Sequence, residues 1–226
     1  MSIAEKLTAI AENEQKVFDA GKKDYYDVIW DCIQNGGNIV LEMTGLFCGS
    51  FWNDDTFRPK YDIVLPTSSQ YLFKGCRITD LKGLLEKCGK TFNSSNATNF
   101  YQMFSGSTIT RIPTVDARKA SVLSYTFNNC AALKSVDKLI VSASTTYEGV
   151  FHNCSELEDI IFDGTIGQNF MMYNCDKLTH DSLMSILNAL EAKTEGTWTV
   201  TLGTTNLAKL TDAEKAIATQ KGWTLA

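Results

Sequence analysis

Apolar and small polar residues recur in a fixed order through the middle of this chain. Six segments read Phe or Met, then any residue, then Gly or Asn, then Cys or Ser. Most of them are followed by an apolar pair whose members are three residues apart. A repeat with a period of roughly 20 to 30 residues predicts structural units that stack on one continuous core. The six copies start at Phe47, Phe73, Phe104, Phe127, Phe151 and Met172.

The third position of every copy holds only glycine or asparagine. These residue types adopt a positive φ most readily, so each copy is predicted to turn a tight left-handed corner there. The small fourth residue suits a corner where neighbouring copies approach at the strand spacing of about 4.8 Å. The aromatic first residue is wide and apolar, and we expect it to stack inside the core. The corner positions are Gly49, Gly75, Gly106, Asn129, Asn153 and Asn174.

The segments between the corners predict short strands. An apolar spacing of three does not fit the period of two in a strand, so each corner is expected to continue through a short turn into a short strand. Residues 139–141 and 160–162 are apolar or β-branched enough to form such strands. The longest copy also contains residues 84–88, which we expect to form one helical turn that ends at Gly89. Together these elements predict an α/β repeat solenoid.

The first 22 residues predict an N-terminal amphipathic helix. Ser2 and Glu5 form a capping box at its start, and Gly21 is a typical residue for its end. Its apolar stripe either packs on the rest of the chain as a docking arm or forms a short oligomerisation stem, and the sequence leaves both options open. Residues 23–44 are predicted to cap the open N-terminal face of the stack. The stripe consists of Ile3, Leu7, Ile10 and Val17.

The C-terminal part of the chain no longer follows the repeat. Thr179 precedes a helix with one apolar face, and residues 198–202 alternate between apolar and polar with the period of a strand. A second capping box begins at Thr211 and predicts another helix. We therefore expect a C-terminal helix–strand–helix cap at residues 180–226, after a repeat region at residues 45–179.

The fourth and fifth copies, at residues 127–136 and 151–160, resemble BspA-like leucine-rich repeats, which share the pattern Phe-x-x-Cys-x-x-Leu-x-x-Ile. The resemblance covers about residues 45–180 and implies a leucine-rich-repeat-like right-handed solenoid with short strands. The first copy lacks the apolar tail, and the second and third copies are one residue shorter after the corner. Members of this family are mostly bacterial or protist surface proteins, so the resemblance implies a role in adhesion.

Both ends of the chain resemble leucine-rich repeat proteins that phages and prophages of gut bacteria encode. The matching segments are residues 1–7 and 210–225. This resemblance implies a non-enzymatic phage tail or baseplate adhesin whose partners are other tail proteins and a bacterial surface glycan or protein. It also implies a homo-oligomer, for which a trimer is the form that suits a tail adhesin. The alternative function is a bacterial surface adhesin or a protein-binding scaffold.

The composition and the start of the chain limit where the protein is expected in the cell or virion and which classes of partner it is expected to bind. The start of the chain lacks the basic and apolar segments of a signal peptide, so we expect assembly in the bacterial cytoplasm and a final place in the virion. The alternative function places the protein on the bacterial cell surface. A net charge of −5 argues against nucleic acid as a partner, because phosphate binding requires a basic face. No apolar run has the length of a membrane span.

The cysteines and histidines form no recognisable catalytic or metal-binding motif. Four of the seven cysteines occupy the fourth repeat position, where serine also occurs, so we expect buried free thiols there. Neither Cys-x-x-Cys nor His-x3-His spacing is present, and neither a metal nor a cofactor is predicted. His152 lies at a variable repeat position and is expected on the surface, while His180 is expected at a helix start. The sequence therefore predicts no catalytic residue and no enzyme.

Two groups of residues are candidates for ligand binding. Trp52, Asn53, Asp54 and Asp55 combine an aromatic ring with carboxamide and carboxylate groups, which suits a sugar or a calcium ion. The alternative for this group is a turn that buries Trp52. The second group is four tyrosines that lie a few residues before their corners, and their rings either flank the core or form an exposed ladder that reads a glycan or a protein. These are Tyr71, Tyr101, Tyr125 and Tyr147.

Overall fold

The computed structural model describes residues 62–226 and the backbone of the strand Gly49–Asn53. The predicted N-terminal helix at 1–22 and the predicted cap at 23–44 lie outside the described residues. The same holds for Asp54 and Asp55, and only the backbone of Trp52 and Asn53 is described. The first candidate binding group therefore stays a prediction.

Eleven short strands and four helices are present in the described part of the chain. The strands are β1 Gly49–Asn53, β2 Ile63–Val64, β3 Cys76–Arg77, β4 Phe92–Asn93, β5 Arg111–Ile112, β6 Val115–Asp116, β7 Ser135–Val141, β8 Asp159–Gly164, β9 Phe170–Met171, β10 Trp198–Thr201 and β11 Trp223–Leu225. The helices are α1 Leu81–Cys88, α2 His180–Ala189, α3 Thr204–Leu207 and α4 Asp212–Gln220.

The strands form separate sheets in which every pair is parallel. One sheet joins β1 to β3, and another joins β2 to β4. The largest sheet has β7 at its centre, where it pairs with β5, β6 and β8. In the last sheet β10 lies between β9 and β11. The register aligns Ile112, Val136 and Ile160 of three successive copies, and all three side chains are buried.

The structure corrects the predicted right-handed repeat solenoid. The described residues form a mixed α/β fold with several short parallel sheets, not one sheet that runs through all copies. Several strands have only two residues, such as β3, which directly follows the corner at Gly75, and β4, and α1 is inserted between these two. A sequence repeat predicts a repeating sheet, but copies of unequal length place their strands differently. The strands predicted at 139–141 and 160–162 do form, within β7 and β8.

The aromatic position of the repeat forms a stack of buried rings. Phe73, Phe104, Phe127 and Phe151 are fully buried. Their successive ring centroids are 5.2, 5.5 and 4.9 Å apart, with planes inclined by only 15°, 6° and 8°. The predicted stacking of this column inside the core is therefore confirmed for these copies. Beyond them the column continues with the buried side chain of Met172.

The left-handed corners predicted for the third column are present in five of the six copies, and no φ angle is described for the sixth, Gly49. The φ angles are +65° at Gly75, +68° at Gly106, +58° at Asn129, +60° at Asn153 and +56° at Asn174. The three asparagines also form a ladder, because the amide nitrogens of Asn153 and Asn174 each donate to the asparagine amide oxygen of the preceding copy at 2.7 Å. Asparagine therefore supplies both the backbone conformation and a contact between copies.

The C-terminal region contains more elements than the predicted helix–strand–helix cap. Thr179 caps α2, and the capping box of Thr211 and Glu214 begins α4, as the sequence predicts. The prediction missed α3 and β11, and β11 pairs with β10 along its whole length. None of the helices in residues 62–226 has the length and apolar character needed to cross a bilayer.

Candidate functional site

A second column of left-handed residues lies two positions before the buried aromatic column. Its φ angles are +61° at Tyr71, +52° at Gln102, +59° at Tyr125 and +57° at Gly149. Glycine adopts this conformation without strain, whereas a bulky side chain in it is uncommon and costs about 1–3 kcal/mol. The two tyrosines therefore occupy positions where the backbone alone favours glycine or asparagine.

Three tyrosine rings pack edge to face along the surface. The ring centroids of Tyr71 and Tyr101 are 5.5 Å apart at 90°, and those of Tyr101 and Tyr125 are 6.0 Å apart at 88°. All three side chains are partly exposed. We call these three residues the tyrosine ladder. The structure thus brings together three of the four tyrosines that the sequence singled out.

Polar side chains fix the first half of the tyrosine ladder. The Lys74 amino group lies 5.1 Å from the centroid of the Tyr71 ring and donates a 2.6 Å hydrogen bond to the Gln102 amide oxygen. The Gln102 amide nitrogen in turn donates to the Tyr101 hydroxyl at 3.1 Å. These contacts hold the rings in one arrangement. Less side-chain conformational entropy is therefore lost when a ligand binds to the rings.

The last ring of the ladder is held by the following copy. The Tyr125 hydroxyl donates to the Glu148 carboxylate, and this hydrogen bond raises the pKa of the tyrosine. The ring lies directly on the backbone of Gly149, because a Cβ atom at that position would be 2.5 Å from the Tyr125 ring. Position 149 thus belongs to the second left-handed column but contributes no ring of its own.

Tyr147 does not join the ladder. Its side chain is only 2% exposed, and its hydroxyl donates to the carbonyl of Ser142 at 3.2 Å. Burial raises the pKa of this tyrosine well above its usual range. No local sequence pattern distinguishes Tyr147 from the other three tyrosines, because it also lies a few residues before its corner.

An open groove begins where the tyrosine ladder ends. Its volume is about 580 Å³, within the range that is typical of ligand sites. One wall is formed by residues 146–149 with His152, and the other by residues 168–171 with Thr199 and Thr201 of β10. We call this space the groove. The sequence did not predict it, because its walls come from segments about 20 to 50 residues apart that only the pairing of β9 with β10 brings together.

The groove interrupts a regular pattern of backbone hydrogen bonds between copies. In the copy before it, the amides of Leu123, Tyr125 and Phe127 donate to carbonyls of the next copy at 3.0, 2.8 and 2.9 Å. The equivalent amides belong to Tyr147 and Gly149, which line the groove, and to Phe151, which does not. Within the described residues these three N–H groups have no hydrogen-bond acceptor.

Donor pairing between copies resumes at the next corner, where the Asn153 amide donates to the Tyr173 carbonyl at 2.9 Å. All three unpaired amides belong to buried residues. Buried N–H groups are almost always satisfied by protein, water or ligand. The groove is therefore a gap in the pairing between copies, and along one wall the Tyr147 and Gly149 donors have no acceptor in the part of the chain that the structure describes.

The side chains of the groove are polar and largely unengaged. His152, Gln168, Thr199 and Thr201 make no side-chain hydrogen bond within the described part of the chain. The lining includes the Glu148 carboxylate and contains neither lysine nor arginine. Apolar contact area comes from Phe170 and Met171.

The buried thiols of the repeat are structural. The thiols of Cys130, Cys154 and Cys175 donate to the carbonyls of Phe104, Phe127 and Phe151 at 3.0, 3.0 and 2.9 Å. Burial raises the pKa of Cys130 to about 11, and the pKa of Cys154 is also raised, first by its hydrogen bond with Cys175 and then by burial. A thiol that stays protonated is a poor nucleophile.

The two histidines have different surroundings. His152 lines the groove and its ring centroid is 5.6 Å from that of Tyr173. The His180 Nε2 atom is 2.8 Å from the Glu214 carboxylate, which links α2 to α4. In residues 62–226 no group of three His, Cys, Asp or Glu side chains has the geometry to hold a metal ion.

Comparison of the chain with protein-family models, with curated proteins and with solved structures finds no match. The resemblances of the repeat and of the two ends therefore rest on the residues themselves.

Proposed function

We propose that this chain is a non-enzymatic binding protein, a phage tail or baseplate adhesin that recognises a bacterial surface ligand with the tyrosine ladder and the groove. The observation that supports this proposal most directly is the left-handed conformation of Tyr71 and Tyr125. The same column contains glycine at position 149, so the backbone does not require a tyrosine there.

Energetics favours a role in recognition over a role in stability. Each tyrosine in this conformation costs about 1–3 kcal/mol. An edge-to-face aromatic contact returns only about 0.5–1.5 kcal/mol beyond area burial. Rings at strained positions, partly exposed and beside an open groove, are explained when a ligand uses them.

The position of the protein in a phage tail is supported by the two terminal segments, at residues 1–7 and 210–225. Homo-oligomerisation through residues 1–22, with a trimer as the preferred form, belongs to the same proposal. Mass spectrometry of purified phage particles from a producing strain tests whether the chain is part of the phage tail. Presence of the chain in tail particles supports the proposal, whereas recovery only with the bacterial envelope favours the surface-adhesin alternative.

Binding itself is tested with the labelled full chain and a panel of bacterial cells, by flow cytometry. We expect saturable binding to some strains and its loss in Tyr101→Ala, because Tyr101 contacts both of the other rings. Tyr101 is not left-handed, so this change does not alter backbone strain. Ile161→Ala is the control, since Ile161 is an exposed apolar residue outside the ladder and the groove. A wild-type chain that binds no strain would contradict the proposal.

A further inference from the structure

We propose that the groove binds a neutral saccharide unit, and that the ligand continues along the tyrosine ladder as a glycan without anionic groups. This inference rests on the proposed function and specifies its ligand. Three features of the groove lead to it: its donor row, its charge and its side-chain chemistry.

The donor row requires a ligand rich in hydrogen-bond acceptors. Within the described residues the amides of Tyr147 and Gly149, which line the groove, have no acceptor, whereas the carbonyls of Thr146 and Glu148 already accept from the preceding copy. This wall therefore offers donors without acceptors. An extended peptide presents N–H and C=O groups together on one edge, so half of its edge groups would face no partner on this wall. Sugar hydroxyls can turn to accept, and acetamido carbonyls accept only.

The charge of the groove disfavours an anionic ligand. A row of backbone donors by itself suits a carboxylate or a phosphate. However, the Glu148 carboxylate lies on the same wall, and the lining supplies no lysine or arginine to balance a second negative charge. Like charges placed together without compensation oppose binding. Uronic acids, sialic acids and phosphorylated sugars are therefore disfavoured.

The side chains match a ring that carries hydroxyls on its edge. The free imidazole, amide and hydroxyl groups of His152, Gln168, Thr199 and Thr201 include both donors and acceptors, as vicinal hydroxyls require. Thr199 is fixed in place, because its amide donates to the Asn169 side chain at 2.9 Å and β10 pairs on both sides. Phe170 and Met171 supply an apolar surface for the C–H face of the sugar.

The groove and the ladder form one continuous surface. Glu148 lines the groove and accepts a hydrogen bond from the hydroxyl of Tyr125, whose ring is the last in the ladder. The negative face of an aromatic ring attracts the weakly positive C–H groups of a sugar. A glycan with one unit in the groove would thus meet the Tyr125 ring with its neighbouring unit.

The test uses the full chain labelled with ¹³C at the methionine methyl groups. Met171 lines the groove and is 40% exposed, whereas Met103 is fully buried and serves as an internal reference. The probes are the neutral trisaccharides maltotriose, mannotriose and chitotriose, the anionic trigalacturonic acid and an extended hexapeptide. We expect at least one neutral trisaccharide at millimolar concentration to shift the Met171 signal saturably, with no shift from trigalacturonic acid or the peptide.

Matched variants link the shift to the groove. Thr199→Val and Thr201→Val each remove one hydroxyl and should weaken binding of the active trisaccharide about fivefold, the value of one neutral hydrogen bond. Thr114→Val, at an exposed position between β5 and β6 and outside the groove lining, should leave it unchanged. Glu148→Gln should allow trigalacturonic acid to bind.

The inference is overturned if no neutral trisaccharide shifts Met171, if the peptide does so instead, or if the threonine variants bind as the wild type does. Cell binding separates this failure from failure of the proposed function. If Thr199→Val/Thr201→Val still binds cells while Tyr101→Ala does not, the ladder binds the ligand without the groove. If the wild type binds no cells, the proposed function itself fails, whatever the trisaccharides do.

Discussion

The ring of Tyr125 rests on the backbone of Gly149, with space for no side chain between them. The tyrosine ladder ends at this contact and the groove begins there, because the next left-handed position, Gly149, contributes no ring. The position therefore combines two constraints, a positive φ of +57° and a steric limit imposed by a neighbouring copy.

Gly149→Ala should be more destabilising than Gly75→Ala, because position 75 requires only a positive φ and has no neighbouring copy in the way. At Gly75, with φ +65°, an added Cβ meets no atom within 4 Å, so Gly75→Ala should cost about 1–2 kcal/mol from backbone strain alone. Gly149→Ala should add about 1–3 kcal/mol because Tyr125 must move. Urea denaturation of both variants measures the difference, and equal midpoints would show that the Tyr125 ring does not confine position 149.

Asn153 supplies a corner conformation and two amide hydrogen bonds. Asn153→Val places a β-branched residue at φ +60° and should lower the free energy of unfolding by about 1–3 kcal/mol. Asn153→Gly removes the two exposed amide bonds but relieves strain, so its cost should stay below about 1 kcal/mol. Thermal unfolding ranks the variants, and a valine variant more stable than the glycine variant would refute the assigned corner.

The buried thiol of Cys130 makes stability depend on pH in the alkaline range. Its pKa is raised from 9.0 to about 11, so the folded state holds the proton more tightly than the unfolded state does. The stabilising effect is complete below about pH 9 and disappears as the pH rises towards 11. Relative to Cys130→Ser, the wild type should therefore lose stability between these values.

Serine is a suitable replacement, because Ser107 occupies the equivalent position one copy earlier. Chemical denaturation of both proteins under reducing conditions, from pH 7 to pH 10.5, provides the comparison. Parallel stability curves across that range would mean that the Cys130 thiol is not protected from ionisation.

The N-terminal stripe of Ile3, Leu7, Ile10 and Val17 leads to a prediction about assembly. If residues 1–20 form a stem, their deletion should convert an oligomer into a folded monomer. If they dock on the rest of the chain, the deletion should lower the melting temperature and leave the oligomeric state unchanged. Light scattering decides between these results, and a monomeric full-length chain would rule out the stem.

The sequence was sufficient to predict the local features of the copies that the structure describes, because each feature depends on residues close in the chain. A column restricted to glycine and asparagine reports its own backbone conformation, and four phenylalanines at equivalent positions stack where the repeat places them. The caps at Thr179 and Thr211 likewise depend on three or four residues. These signals are local and need no knowledge of the overall arrangement.

The architecture and the groove depended on contacts that no local pattern contains. The solenoid prediction assumed that similar copies continue one sheet, but unequal copies and the inserted α1 leave several short sheets. The alternation of residues 198–202 predicted a strand with Thr199 and Thr201 on one face. It could not show that this strand pairs with β9 and turns these threonines toward Gly149.

The central claim is that strained tyrosines are kept for binding and not for stability. Cell binding of the Tyr71→Gly/Tyr125→Gly variant tests it most directly, because glycine retains the left-handed backbone and removes only the rings. The account predicts a folded protein, within about 1 kcal/mol of the wild type, whose affinity for cells is at least about tenfold weaker. Undiminished cell binding by this variant would contradict the account.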